Sequence, residues 1–106
     1  MKYLFPKYII EDGKLFIGKV TFHKELAENI NNVKGGGFFH FDTETNTFYL
    51  YGKSHDFGQA KIEDVKNAVN NGFAGAKHRY NRYKNFNFIY SEGSTLADVF
   101  LEGVKL

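Results

Sequence analysis

Phe38-Phe39-His40-Phe41-Asp42-Thr43-Glu44-Thr45-Asn46-Thr47-Phe48-Tyr49-Leu50-Tyr51 is the stretch whose reading decides the fold. Phe39 and Phe41 alternate with Phe38 and His40, and Phe48 and Leu50 alternate with Tyr49 and Tyr51, so both arms repeat with a period of two. Asp42 to Asn46 supplies a turn between them. Rings stand on both faces of this hairpin, which predicts a central pair of strands covered on both sides.

Working outward, a second hairpin precedes it. The β-favouring runs Tyr3 to Ile10 and Leu15 to Phe22 flank Asp12-Gly13, a pair suited to positive φ in a tight turn. Pro6 removes one ladder donor, so the first strand is expected to be interrupted or at an edge. Between the hairpins, Leu26, Ile30 and Val33 recur at i, i+4 and i+7, which predicts a short helix over about His23 to Val33. Glu25 and Glu28 suit its early turns, and Gly35-Gly36-Gly37 is read as its stop and as a close-packing entry to the next strand.

Downstream, Gly52 to Gly58 forms a polar loop. Ile62, Val65 and Val69 give a helix from about Lys61 to Asn71, ended by Gly72. Phe73 to Lys84 reads as helix or irregular structure. Phe86, Phe88 and Tyr90 alternate as a last strand, and Thr95 caps a final helix carrying Leu96, Val99 and Phe100. The fold class is therefore α+β: one domain over residues 1–106, with a small mixed sheet flanked by helices.

Composition narrows the chemistry. The chain has 106 residues, 12 Phe, 7 Tyr, 11 Gly and one Pro. The absence of cysteine excludes a disulfide framework, a thiolate metal site and a cysteine nucleophile. Fourteen Lys+Arg against twelve Asp+Glu give +2, too small a balance to point to nucleic acid by charge alone. No apolar run reaches the roughly 18 residues of a membrane helix, and Met1-Lys2-Tyr3 opens no signal-peptide core, so a cytoplasmic protein without membrane contact is expected. His23, His40, His55 and His78 lack metal-ligand spacing, and neither a metal nor another cofactor is expected.

His23 stands where a strand hands over to a helix. An imidazole there is favoured in its neutral form and can serve as base or nucleophile beside a bound anion; the alternative is a half-buried ring bonded to a backbone carbonyl. In Gly52-Lys53-Ser54-His55-Asp56-Phe57-Gly58, two glycines bracket a polar loop whose N–H groups can converge on an anion, or which is simply solvated. Ser54, His55 and Asp56 are too close in sequence to converge as a triad. Lys77 to Lys84 mixes cations with aromatics, as single-strand nucleic-acid surfaces do, and equally suits a solvated helix face.

The glycine spacing resembles that of a known family. Gly35-Gly36-Gly37, followed fourteen residues after Gly37 by Tyr51-Gly52-x-Ser54-x-x-Phe57-Gly58-x-Ala60, is similar to the two-part signature of the 14 kDa phosphohistidine phosphatase family (janus/ocnus). Phe22-His23-Lys24-Glu25-Leu26 resembles the segment carrying that family's catalytic histidine, and Pro6-Lys7-Tyr8-Ile9-Ile10 its first strand. The resemblance covers about residues 7–93, with 94–106 as an additional C-terminal helix. It implies a metal-independent hydrolase that removes phosphate from a phosphohistidine-containing protein or a small phosphoramidate. His23 would be base or phosphate acceptor. Lys7, Gly52, Lys53, Ser54, His55 and Asp56 would bind phosphate, and Gly35, Gly36, Gly37 and Gly58 would be structural.

One departure bears on activity: the family's arginine after the glycine triplet is Phe38 here, which removes a charge-assisted contact of about 1.5–3 kcal/mol. The alternative function is accordingly a catalytically impaired phosphoryl- or protein-binding module of the same fold, bacterial or phage-borne.

Overall fold

A computed structural model describes residues 3–70, 75–76 and 86–106. Strands β1 (Phe5–Glu11) and β2 (Lys14–Val20) form the first hairpin. Asp12 and Gly13 turn it with φ of 55° and 75°, as a tight turn matched to strand twist requires. Strands β3 (Val33–Asp42) and β4 (Thr47–Tyr51) form the second, with Phe39 opposite Leu50 and Phe41 opposite Phe48. Helix α1 (Ile62–Asn70), strand β5 (Gly75–Ala76), strand β6 (Asn87–Tyr90), helix α2 (Leu96–Glu102) and strand β7 (Val104–Lys105) follow.

The described strands make one seven-stranded mixed sheet in the order β5-β2-β1-β3-β4-β6-β7, parallel at β2/β5 and β4/β6 and antiparallel elsewhere. The fold is α+β, and the β3–β4 hairpin is central, as its two-faced aromatic pattern predicts.

Alternation divides the sheet into two faces. One carries Tyr8, Ile10, Leu15, Ile17, Phe39, Phe48, Leu50, Phe88 and Tyr90, all buried, and Val65 and Ala68 of α1 close over them. Phe48 stacks on Phe88 at 5.3 Å and meets Phe41 at 4.5 Å, so the aromatic surplus is spent on packing this layer. The other face carries Lys7, Ile9, Gly36, Phe38, His40, Tyr49 and Tyr51. It is covered piecewise: Leu26 and His23 at one end, and Phe100 of α2 against Tyr49 (4.8 Å) and His40 (6.2 Å) at the other. His40 and Phe100 stay exposed, so cover on this side is partial rather than complete.

Four expectations are corrected. The helix over His23 to Val33 is two 3₁₀ turns, His23–Leu26 and Ile30–Asn32, and Val33 already belongs to β3. Asparagine explains the break: the Asn29 side chain accepts from Asn31 N–H, offering the backbone a turn in place of a helix, and Ile30 is left 58% exposed. The glycine triplet consequently stops no helix and lies inside β3. β1 is central, flanked by β2 and β3; Pro6 pairs only toward β2, because pairing to β3 begins at Lys7.

Gly75 and Ala76 are strand, parallel to β2, where helix or irregular structure was expected. The remainder of Phe73 to Lys84, with Gly72, the basic-aromatic stretch and His78, lies outside the described residues.

The C-terminal segment belongs to the same body. Thr95 accepts from Asp98 N–H, and Asp98 accepts from Thr95 N–H, a reciprocal cap that starts α2 where expected. Val104 then pairs with Tyr90, and Leu106 N–H bonds Phe88 O.

Candidate phosphoryl site

On the partly covered face, Lys7 of β1 stands opposite Phe38 of β3, which stands opposite Tyr51 of β4. Lys7 Nζ lies 5.8 Å from the centre of the Phe38 ring, and the His23 imidazole meets the same ring edge-on at 5.6 Å. Three residues distant in sequence thus share one aromatic platform.

The glycine triplet makes this approach possible. A Cβ on Gly36 would stand 2.3 Å from Tyr8 O and 3.3 Å from His23 Cδ2, and one on Gly37 would stand 2.4 Å from Tyr51 O. Larger residues there would push β3 away from β1 and lift His23 off the sheet.

His23 is 3% exposed, and its Nε2 lies 2.7 Å from Gly37 O. A carbonyl only accepts, so Nε2 carries the proton and Nδ1 carries the lone pair. The ring's pKa is held below the usual histidine value, chiefly by burial and further by the Lys7 charge, while the Gly37 bond and Asp56 pull the other way. The neutral ring expected from a helix N-terminus is therefore found, with another cause: the element is only a four-residue 3₁₀ turn, and desolvation dominates. The carbonyl-bonded alternative also holds in part. That bond fixes the tautomer that leaves Nδ1 basic.

Lys7 is half-buried and donates to Thr21 O, two residues before His23. An ammonium has three donors, and among the described residues Thr21 O takes one of them. The same contact ties β1 to the turn bearing His23.

Loop 52–58 packs against the triplet, with Gly36 N–H bonding Gly58 O and Ser54 N–H bonding Gly36 O (3.0 Å). Most of its amides are spent internally. Gly52 N–H goes to Gly93 O, Gly58 N–H to Ser54 O, and the Asp56 and Phe57 amides to Ser54 Oγ at 3.2 and 3.0 Å. Among the described residues, Lys53 N–H and His55 N–H have no such partner. Of the amides around Ser54, His55 and Asp56 expected to bind phosphate, those of Ser54 and Asp56 build the loop, as does Gly52 N–H, while His55 N–H and Lys53 N–H have no protein acceptor among the described residues.

Ser54, 2% exposed, organises the turn instead of facing a ligand. The Lys53, His55 and Asp56 side chains are exposed, and no hydrogen bond ties them to His23; Asp56 acts on His23 through its charge.

Sequence reasoning missed Glu11. Its carboxylate, 5% exposed, accepts Glu28 N–H and Asn29 N–H at 2.9 Å each and pins the 3₁₀ turns onto the end of β1. A lone acid directly after the apolar run Tyr8-Ile9-Ile10 was the available signal. No family model, curated protein or solved structure matches the chain.

Proposed function

We propose that this protein hydrolyses the N–P bond of phosphohistidine, with His23 as base or transient phosphate acceptor. The observation that carries this reading is the buried His23 ring, its Nε2 bonded to Gly37 O, on the Phe38 ring that also holds the Lys7 ammonium. As base, Nδ1 takes a proton from water, the water oxygen forms the new P–O bond, and the P–N bond breaks as the substrate imidazole recovers a proton. As acceptor, Nδ1 forms a new N–P bond while the substrate's P–N bond breaks and its imidazole takes a proton from water; water oxygen then forms a P–O bond to phosphorus as the His23 N–P bond breaks, releasing phosphate. Either way the products are histidine and inorganic phosphate.

Lys7 balances charge developing on the phosphoryl oxygens, and the His55 and Lys53 amides offer further donors. The substrate is a phosphohistidine-bearing protein or a small phosphoramidate, met in the cytoplasm. No helix among the described residues is long and apolar enough to cross a membrane.

Phosphate release from a phosphohistidine peptide by wild type and His23→Ala tests the assignment. A loss of about 10²-fold or more in the variant is expected. Equal rates, or none in either, would overturn it.

A second reading is favoured by Phe38, where the resembling family has arginine, and by the Asp56 carboxylate, which repels a phosphoryl dianion. It is a binding module of the same fold without turnover. Saturable binding of a phosphohistidine peptide with no phosphate released would select it.

A further inference from the structure

Phe38 has contacts that a mere gap left by a missing arginine would not have. Its ring meets the His23 ring in a T-shaped contact at 5.6 Å, the Lys7 ammonium at 5.8 Å and Tyr51 at 6.0 Å. Gly52 leaves it room: a Cβ there would stand 2.8 Å from Phe38 Cδ2. A ring's negative face attracts a cation and its positive edge suits other rings, so one phenyl group can hold an ammonium and an imidazole by different parts of its surface.

We infer that Phe38 is the positioning residue of this site, seating the His23 imidazole edge-on and tethering the Lys7 ammonium so that base and cation serve one phosphoryl group. The inference rests on the reading of His23 as the reacting group. Arginine at this position would bind phosphate directly; phenylalanine binds none of it and acts through its two neighbours. The ring packs against one side of His23, and the tether keeps Lys7 close enough to disfavour a second positive charge on the imidazole.

Among the described residues, the charged groups that face His23 are Lys7 from β1 and Asp56 from the 52–58 loop, with the Gly37 carbonyl from β3. Lys24 and Glu25 lie on its own turn. Lys24 points its Nζ at the Phe22 ring (5.5 Å), and Glu25 accepts Phe22 N–H. Neither replaces Phe38 in holding the imidazole.

The test is NMR titration of the His23 ring nitrogens in wild type, Phe38→Tyr, Phe38→Leu and Phe38→Met, with kcat and KM on a phosphohistidine peptide. In wild type the Lys7 side-chain and His23 ring protons are expected to show ring-current shifts from Phe38. Leu and Met are expected to raise the His23 titration midpoint, reduce the Lys7 shift to the part contributed by the Phe5 ring, which also lies 5.8 Å from Lys7 Nζ, and lower kcat by about tenfold or more, with KM changed less. Tyrosine keeps the ring and is expected to restore all three.

Absent ring-current shifts in wild type would overturn the inference, which needs no variant to fold. An unchanged midpoint in both Leu and Met would do the same. A wild type without turnover would defeat the proposed hydrolysis while leaving the NMR result to decide the role of Phe38.

Discussion

The same strands present two unlike faces. Tyr8, Ile10, Phe39, Phe48 and Leu50 look into a closed layer under α1, each at most 1% exposed. One residue along, Lys7, Phe38, His40, Tyr49 and Tyr51 look out onto a surface roofed, among the described residues, by the first 3₁₀ turn, the 52–58 loop and α2. The strands could not bury both sides with helices of nine and seven residues. The difference teaches how a small domain divides its labour: the face that α1 seals holds the fold, and the unsealed face keeps room for a half-buried lysine and a buried imidazole side by side.

The comparison breaks most sharply at Phe48, whose ring is fully buried among Phe39, Phe41, Phe86 and Phe88. Phe48→Ala is expected to cost about 3–5 kcal/mol. Phe38→Ala, on the half-covered face, is expected to cost clearly less while harming activity more. Urea unfolding of the two variants, with rates on a phosphohistidine peptide, reads both quantities. Equal stability losses would deny that the faces differ in kind.

Glu11 fastens the 3₁₀ turns of the half-covered face to the end of β1. Glu11→Ala strips two charge-assisted acceptors from Glu28 N–H and Asn29 N–H. Both residues are exposed, so water can replace part of the loss, and a cost of about 1.5–3 kcal/mol is expected. Because these bonds hold the segment after His23 onto β1, the His23 ring should also lose its fixed tautomer, visible in its nitrogen chemical shifts. A variant that unfolds more easily yet keeps those shifts would separate stability from site order.

The closed face was legible in the sequence, because period-two alternation in Phe39-His40-Phe41 and Phe48-Tyr49-Leu50 reports a buried side directly. So were the Asp12-Gly13 turn and the Thr95 cap, where one or two residues carry their own backbone chemistry. The site was legible only in part. His23 and Lys7 could be named, but their meeting over Phe38 depends on β1/β3 register, which no local pattern encodes.

The 3₁₀ turns escaped because an apolar i, i+4, i+7 spacing says nothing about three competing asparagines. The loop amides escaped because Ser54 Oγ claims two of them, a contest settled only in three dimensions. β7 was invisible for a plainer reason: a two-residue strand has no period.

Acid sharpens the comparison further, with a smaller effect. Burial first, and Lys7 second, hold His23 below the usual histidine range, so the folded protein resists protonation there. In the unfolded chain the ring titrates near about 6.5. Between these values the unfolded state binds more protons, so stability is fully present above about pH 6.5 and falls as pH drops toward the folded-state value. His23→Gln, whose amide can still donate to Gly37 O, should lose less stability than wild type between pH 8 and pH 5. Identical pH dependence in urea unfolding would mean that the ring is no more buried than it is in the unfolded chain.

The smallest effect belongs to the closed face. Tyr8 is fully buried, and its hydroxyl has no hydrogen-bond partner among the described residues, whereas Tyr90, in the same layer, donates to Ala60 O. Burial pushes both phenols up, Tyr90 to about 12 and Tyr8 further, each also opposed by a neighbour, Glu92 for Tyr90 and Tyr90 for Tyr8. A raised folded-state value means the stabilisation is fully present below the unfolded value near about 10 and is lost as pH climbs past it.

Tyr8→Phe removes a buried group that was never satisfied, so at neutral pH it should be neutral or stabilising by up to about 1 kcal/mol. It also removes one of the phenols whose ionisation the fold opposes, so the variant should lose less stability above pH 10 than wild type. Tyr90→Phe, which orphans Ala60 O, should destabilise at neutral pH. Melting temperatures at pH 7 and pH 10.5 distinguish the pair: a destabilised Tyr8→Phe at neutral pH would show that its hydroxyl has a partner, and the closed face would then contain a polar contact of its own.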